Sequence, residues 1–254
     1  MQPCVLILAG LDPSGGAGLL ADAEAVRAQG ARPFCVATAL TVQSTGRALR
    51  FQATAPLLVR DSARLLFEDE NICAVKIGMV GAPQVAQAIA DLLRGRGSGL
   101  PIVVDPVLAS SSGAALLKGG PEPYLLLMQG ALITPNALEA EALCGFPIRD
   151  LAAQEKAGRA LVAKGARAAL IKGGHVDKAG AARGIDRADG AECADVLVDA
   201  DGALVLSGPR LAVSKRGTGC RLSSALAAQL ALGASLRDAA AAARRYLLSY
   251  LAGS

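Results

Sequence analysis

The sequence predicts an α/β fold. It reads as one domain over residues 1–254, a three-layer α/β/α sandwich around a mostly parallel central sheet. Two observations carry this. Short, wholly apolar runs alternate with helical stretches along most of the chain, as parallel strands covered on both faces do. Apolar residues make up 52% of the chain against 19% charged, enough to fill two core layers. Aromatics are only 3%, so the core is aliphatic and Ala-rich, which lets helices pack closely on a sheet.

The elements follow in order. CVLILAG is the first strand and leads to a helix over 18–29. PFCVATAL is the second, followed by a polar loop and a helix over 57–68. AVKIGMVG leads to a helix over 84–93, and RGRGSGLP, 94–101, reads as a surface loop. PIVVDPV ends its strand at Asp105. ALITPN leads to a helix over 137–144, and AALIKGG follows a helix over 152–164. The pattern then changes. ADVLVDADGALVLSG is two β-rich runs about a D-A-D-G turn, a hairpin over 195–206. Two helices come last, 218–232 and 236–251, broken at Gly233. No internal repeat or low-complexity linker divides the chain.

Composition excludes several functions. The formal charge is +4 with no block of five cations, and so few aromatics give no stacking platform for nucleic acid. No apolar run reaches the ~18 residues of a membrane span, and the first residues lack the basic flank of a signal peptide. Six cysteines without a C-x-x-C pair read as reduced thiols of a cytoplasmic protein. The single histidine, His175, leaves no basis for a His-rich metal site or a Ser-His-Asp triad.

In open parallel sheets, ligands bind beyond the carboxyl ends of the strands. The unusual clusters of this sequence lie there. In VSKRGTGC, Gly217, Thr218 and Gly219 open an apolar helix, where free N–H groups and a partial positive charge suit an anion. Cys220 follows them, and a thiol at a helix start near Lys215 and Arg216 is expected to have a pKa lowered from ~8.5 toward neutrality. The Walker A pattern is absent. A loose G-x-G-x-x-A occurs at Gly16 to Ala21, but Gly18 lies eight residues past Gly10, and no acid ends the second strand to meet a ribose. A dinucleotide-dependent dehydrogenase is therefore the weakest reading.

The segments AGLDPSGGAG, TALTVQST, KIGM, VDPV, ITPNALEA, KGGH and GTGC occur in that order. Together the chain resembles, from about Leu6 to Leu251, the hydroxymethylpyrimidine/phosphomethylpyrimidine kinase family of thiamin synthesis, a branch of the ribokinase-like superfamily. The resemblance implies a ribokinase-like fold, ATP and Mg²⁺ as cofactors, and a homodimer. It implies phosphorylation of 4-amino-5-hydroxymethyl-2-methylpyrimidine and of its monophosphate. Cys220 then activates the acceptor hydroxyl, and Gly217, Thr218 and Gly219 receive the transferring phosphoryl group. Gly10, Asp22, Gln43, Met79 and Val107 form the substrate side; the Gln43 amide can pair with an aminopyrimidine edge and Met79 can pack on the ring. Asn136, Glu139 and Lys172 form the nucleotide side, with Asp105 and Glu139 acting on the metal. Asn136 is also a natural helix cap, and His175 reads as structural. The chain departs from the family pattern at Ser111, at SKR before GTGC, at Arg221 and at Arg244. Those departures keep two other readings open, a pyridoxal or pyridoxine kinase on the same fold and a catalytically silent ligand-binding regulator.

Overall fold

The computed structural model describes residues 2–97, 99–109, 116–117, 120–173, 192–209 and 215–253. Ser111 and His175 lie outside the described residues, as does Ser214 of the SKR segment. Nine strands form one sheet: β1 (Cys4–Leu11), β2 (Arg32–Gln43), β3 (Ala48–Ala53), β4 (Ile72–Ile77), β5 (Ile102–Val104), β6 (Leu132–Ile133), β7 (Ala168–Ile171), β8 (Glu192–Asp199) and β9 (Gly202–Pro209). Their order is β3-β2-β1-β4-β5-β6-β7-β8-β9. The six strands from β2 to β7 in that order run parallel, and β3, β8 and β9 are added antiparallel at the two margins.

The helices are α1 (Gly18–Ala28), α2 (Pro56–Asp69), α3 (Pro83–Arg96), α4 (Glu122–Leu127), α5 (Ala137–Cys144), α6 (Leu151–Ala163), α7 (Thr218–Ala231) and α8 (Leu236–Ala252). Two separate cores explain the wholly apolar strands. Along β1, Cys4, Leu6 and Leu8 face the core shared with α2 to α6, while Val5, Ile7 and Ala9 face the core shared with α1, α7 and α8. Successive side chains point to opposite faces, so a strand buried on both must be apolar throughout.

The same alternation aims one charged residue into the interior. On β4, Val75 and Ile77 join the first core and Ala74 the second. Lys76 therefore points to the side of α1 and α7, and it is fully buried.

Three expectations need correction. The polar loop after the second strand is a hairpin: β2 continues to Gln43 and β3 pairs back on it, with Thr41 opposite Phe51. This edge ribbon lies outside the sandwich, so its apolar residues alternate with polar ones and do not form an apolar run. The supposed loop from residue 94 starts late, because α3 continues to Arg96; Arg94 and Arg96 occupy its last turn, where cations suit the helix dipole. The short α4, between Pro121 and Met128, has no counterpart in the sequence reading.

Candidate active site

Six strand ends contribute to one rim of the sheet. Gln43 ends β2, Gly10 lies in the last residues of β1, Met79 follows β4, Asp105 and Val107 follow β5, Asn136 follows β6 and Lys172 follows β7. These strands are neighbours in the sheet, so the rim is continuous. α7 packs on β1, β4 and β5 and brings its first turn to this rim.

The start of α7 depends on glycine. Gly217 is its N-cap in the left-handed region, φ 71°, with no side chain capping the helix. A Cβ there would collide with the carbonyl of Gly16, so the β1–α1 loop and the α7 turn touch backbone to backbone. Gly219, in the first turn, faces the other way along the rim. A Cβ on it would lie 2.9 Å from Lys172 Nζ and 3.9 Å from Asp105 Oδ2. The amides of Thr218, Gly219 and Cys220 belong to the first turn, whose N–H groups have no partner within the helix.

Lys172 is the charged centre of this region. Its Nζ donates to Asp105 Oδ1 at 2.8 Å and lies 4.0 Å from Glu139 Oε2. Burial opposes its ammonium, but Asp105 and Glu139 more than offset this and raise its pKa. Burial also works against the Asp105 carboxylate, yet Lys172 and Lys76 hold its pKa below the ordinary value. Glu139 responds differently: burial pushes its carboxyl up to about 7, against the pull of Lys172. Asn136 and Glu139 form a reciprocal capping box on α5, with Glu139 N–H donating to Asn136 Oδ1 at 3.0 Å and Asn136 N–H donating to Glu139 Oε2 at 2.8 Å. Asn136 thus has the capping role that its type allows, and the box turns the glutamate toward Lys172.

On the other half of the rim, Met79 is buried against Gly10: a Cβ on Gly10 would lie 2.8 Å from the Met79 sulfur. Thr38 donates its hydroxyl to the Met79 carbonyl. The Tyr124 hydroxyl lies 3.1 Å from the carbonyl oxygens of both Gly78 and Val107 and can donate its one hydrogen to either, so the phenol sits between the segment after β4 and that after β5. Gln43 and Val107 are half-buried.

Asp22 departs from its expected place. It is fully buried beneath the rim and receives the Lys76 ammonium at 2.6 Å and the Ser224 hydroxyl at 2.8 Å. It therefore supports the site from below and does not line it.

Cys220 is where the structure overturns an expectation. Its thiol is not lowered; burial pushes it up to about 12, with Lys76 the leading opposing influence and the Gly18 amide directed at its sulfur. Lys215 and Arg216 do not act on it as the sequence implied, because each is engaged elsewhere. Lys215 lies 4.2 Å from the centre of the Tyr250 ring and donates to the Tyr250 carbonyl at 2.9 Å. Arg216 pairs with Asp12 at 3.1 Å and donates to the Ser44 carbonyl at 2.7 Å, fastening the β1–α1 loop to the β2–β3 turn.

Two further departures from the family pattern, among the described residues, also have internal partners. Arg221, buried, pairs with Glu24 at 2.5 Å and stacks 4.4 Å over the Tyr250 ring. Arg244 pairs with Asp195, whose other oxygen accepts the Gly173 amide at 2.8 Å. Gly173 follows Lys172, so this pair braces the segment carrying the site lysine. Sequence reasoning missed Lys76, Ser224 and Tyr124 as parts of the site. A signal existed for one of them: a lysine within the wholly apolar run AVKIG cannot reach water on either face.

Residues 12–254 match a family model described as phosphomethylpyrimidine kinase. The hydroxymethylpyrimidine/phosphomethylpyrimidine kinase of Rhizobium meliloti (strain 1021) is 36% identical over 252 residues, covering 97% of this chain and 90% of that protein. The protein of the same description from Escherichia coli (strain K12) is 35% identical with the same coverage. Among solved structures, phosphomethylpyrimidine kinase from Clostridium difficile 630 aligns with a TM-score of 0.82 at 31% identity, over 98% of this chain and 99% of that one. Pyridoxal kinase from Staphylococcus aureus in complex with AMP-PCP has a TM-score of 0.85 over 99% and 88% of the two chains, but at 24% identity the likeness is one of fold alone. A family match over nearly the whole length, with relatives more than a third identical along it, establishes that this chain belongs to the phosphomethylpyrimidine kinase family.

Proposed function

We propose that the chain is a single-domain kinase that transfers the terminal phosphoryl group of ATP to the hydroxymethyl group of 4-amino-5-hydroxymethyl-2-methylpyrimidine, and then to the resulting monophosphate, in thiamin synthesis. The observation that carries this is the meeting of the uncapped, glycine-started α7 with the Lys172–Asp105 pair, 2.9 Å from the position of a Gly219 Cβ. Phosphoryl transfer needs positioning and charge neutralisation more than covalent chemistry, and this junction offers both. The first-turn amides of Thr218 and Gly219 receive the equatorial oxygens of the migrating group. Lys172 meets its charge from the opposite side. Asn136 and Glu139 stand toward the nucleotide. Gly10, Gln43, Met79 and Val107 hold the pyrimidine, so the acceptor oxygen comes in beside Cys220.

Asp105 and Glu139 are hard oxygen donors suited to Mg²⁺, but Lys172 stands between them and no cluster of three metal-ligating side chains occurs among the described residues. That set fits an ion that keeps waters and takes its other ligands from phosphates. Bound there, Mg²⁺ would supply charge neutralisation for the nucleotide phosphates.

Cys220 works as a base only in its minor, ionised form. A loose transition state tolerates this, because the acceptor's proton leaves late. The relatives at 35–36% identity favour the pyrimidine over a B6 vitamer, since the pyridoxal kinase neighbours support the fold only. A homodimer is part of the proposal, with Leu40, Val42 and Leu49 exposed on the β2–β3 ribbon in this chain. So is a cytoplasmic setting; no helix among the described residues is long and apolar enough to cross a membrane.

The test is ADP release with the hydroxymethylpyrimidine, its monophosphate and pyridoxal as acceptors. The proposal expects kcat/KM highest for the two pyrimidines. Preferred turnover of pyridoxal, or tight pyrimidine binding without ADP release, overturns it. Cys220→Ala should fold normally and lose about 10²–10⁴-fold in kcat.

A further inference from the structure

The short α4 contributes Tyr124, one of the largest fully buried side chains of the domain. A phenylalanine would fill nearly the same space without a hydroxyl that needs a partner. The acceptors that meet this hydroxyl are not in strands. Gly78 is the residue before Met79, and Val107 lies two residues past Asp105. The last sheet-type bonds of these two segments run from the Gly78 amide to the Leu8 carbonyl and from the Asp105 amide to the Ile77 carbonyl, both at 2.8 Å. Beyond them the chain leaves the sheet, and its path depends on what else holds it. The phenol stands at that point, between the two segments.

Met79 is held from three directions. The Gly78 carbonyl that precedes it faces the Tyr124 hydroxyl. Its own carbonyl accepts the hydroxyl of Thr38, which is fully buried on β2. Its sulfur rests on bare backbone, since a Cβ at Gly10 would lie 2.8 Å from it. Consecutive carbonyls thus each meet a fully buried side-chain hydroxyl. A methionine side chain is unbranched and adaptable, so its sulfur has a set position only if the backbone that carries it is fixed. On the far side of the phenol, Val107 is the residue whose carbonyl lies within the same reach.

We infer that Tyr124 is a positioning residue for the acceptor: its hydroxyl sets the spacing between the Met79 and Val107 segments, and with it the slot that takes the pyrimidine ring. This rests on the reading of Met79 and Val107 as ring contacts. Thr38 supports the same segment from β2. Tyr124 touches neither the substrate nor the reacting atoms. Burial, with the Asp105 and Glu139 carboxylates, keeps its phenol well above the ordinary pKa, so the hydroxyl retains the hydrogen it donates.

The experiment asks whether Tyr124 acts through those two contacts. Tyr124→Phe removes the hydroxyl and leaves the ring, and its melting temperature reports folding. Calorimetry measures Kd for 4-amino-5-hydroxymethyl-2-methylpyrimidine and, separately, for AMP-PCP. The expected result is a pyrimidine Kd raised about fivefold, the worth of one hydrogen bond, with the AMP-PCP Kd within about twofold of wild type. In a Met79→Ala/Val107→Ala background the same substitution should change the pyrimidine Kd by less than about twofold, because the contacts it positions are gone. A folded Tyr124→Phe protein that binds the pyrimidine like wild type would overturn the inference alone. So would an effect that persists in full in the double-alanine background, or an equal rise in both Kd values, the sign of general loosening. Wild-type pyrimidine affinity in Met79→Ala/Val107→Ala itself, or no pyrimidine binding by the unaltered protein, would show instead that the ring-contact reading is wrong, and the inference would fall with it. Should Tyr124→Phe not fold, Thr38→Val, which removes the second hydroxyl from the Met79 segment, is held to the same criteria.

Discussion

Replacing Gly219 by alanine separates what the fold needs from what the reaction needs. Gly219 is not in the left-handed region, so alanine meets no backbone strain. Within a helix it gains up to about 1 kcal/mol in propensity. The added Cβ, however, would lie 2.9 Å from Lys172 Nζ, about half an ångström inside ordinary contact. Lys172 is held at 2.8 Å by Asp105. A retreat of that size along the ion-pair axis weakens the pair by about 1 kcal/mol at an effective dielectric constant of about 20. The two effects nearly cancel, so Tm should stay within about 3 °C of wild type. Activity should not. The methyl group takes the space between the first-turn amides and the lysine, where the phosphoryl oxygens must lie. Removing one such donor elsewhere lowers kcat by about 10²–10³-fold, and a loss of about 100-fold is expected here. Coupled ADP release alongside thermal melting measures both quantities. A Gly219→Ala protein of unchanged Tm that turns over like wild type would refute the placement of the migrating phosphoryl group.

Four further outcomes are expected. Gly217→Ala, at φ 71° and against the Gly16 carbonyl, should lower stability by at least about 1–2 kcal/mol and reduce activity, read by melting and ADP release. Arg244→Met strips the buried Asp195 of its partner and should destabilise by about 3 kcal/mol in chemical denaturation, with KM for ATP raised because Gly173 loses its brace. Arg216→Ala frees the β2–β3 turn from the β1–α1 loop; KM for the pyrimidine should rise while KM for ATP stays constant, in steady-state kinetics with each substrate varied. In metal-free buffer, Glu139 binds its proton more tightly folded than unfolded. The stability this gives is complete below about pH 4.5 and is lost as pH rises through about 7, so Glu139→Gln should flatten that part of the stability–pH curve.

The layered fold was legible because its strands are buried on both faces and its helices are not. Alternation of wholly apolar runs with mixed ones is a direct record of that burial, and it located every parallel strand. The β2–β3 ribbon escaped because Leu49 and Phe51 alternate with Arg50 and Gln52 on an edge that borders solvent. The site residues were legible as types at strand ends, but their mutual engagement was not. Nothing in the order of residues says that Lys215 turns away to Tyr250, that Arg216 reaches Asp12, or that Asp22 lies under the rim. The expected low pKa of Cys220 failed for the same reason. Proximity in sequence supplied two cations, whereas packing turned both away and left the thiol half-buried, with desolvation the leading influence on it.

That exchange of cations has a consequence for how the reaction is divided along the rim. In the division we propose, the acceptor half, at the ends of β2, β1 and β4, has the fully buried Lys76 with Asp22, and the phosphate half, at the ends of β5, β6 and β7, has the half-buried Lys172 with Asp105. The first turn of α7 lies between them. A surface arginine in place of Lys76 would be screened by water and free to neutralise the incoming phosphate of the monophosphate substrate, competing with transfer. A buried ammonium already paired within the protein cannot reach that phosphate. The three arginines at departures from the family pattern each fix a neighbouring segment: Arg216 the acceptor ribbon, Arg221 the α1–α7 contact and Arg244 the chain beyond Lys172. Charge at this rim is thus divided by partner: each lysine is held by an aspartate after β5 or on α1, and each arginine fastens one segment to another.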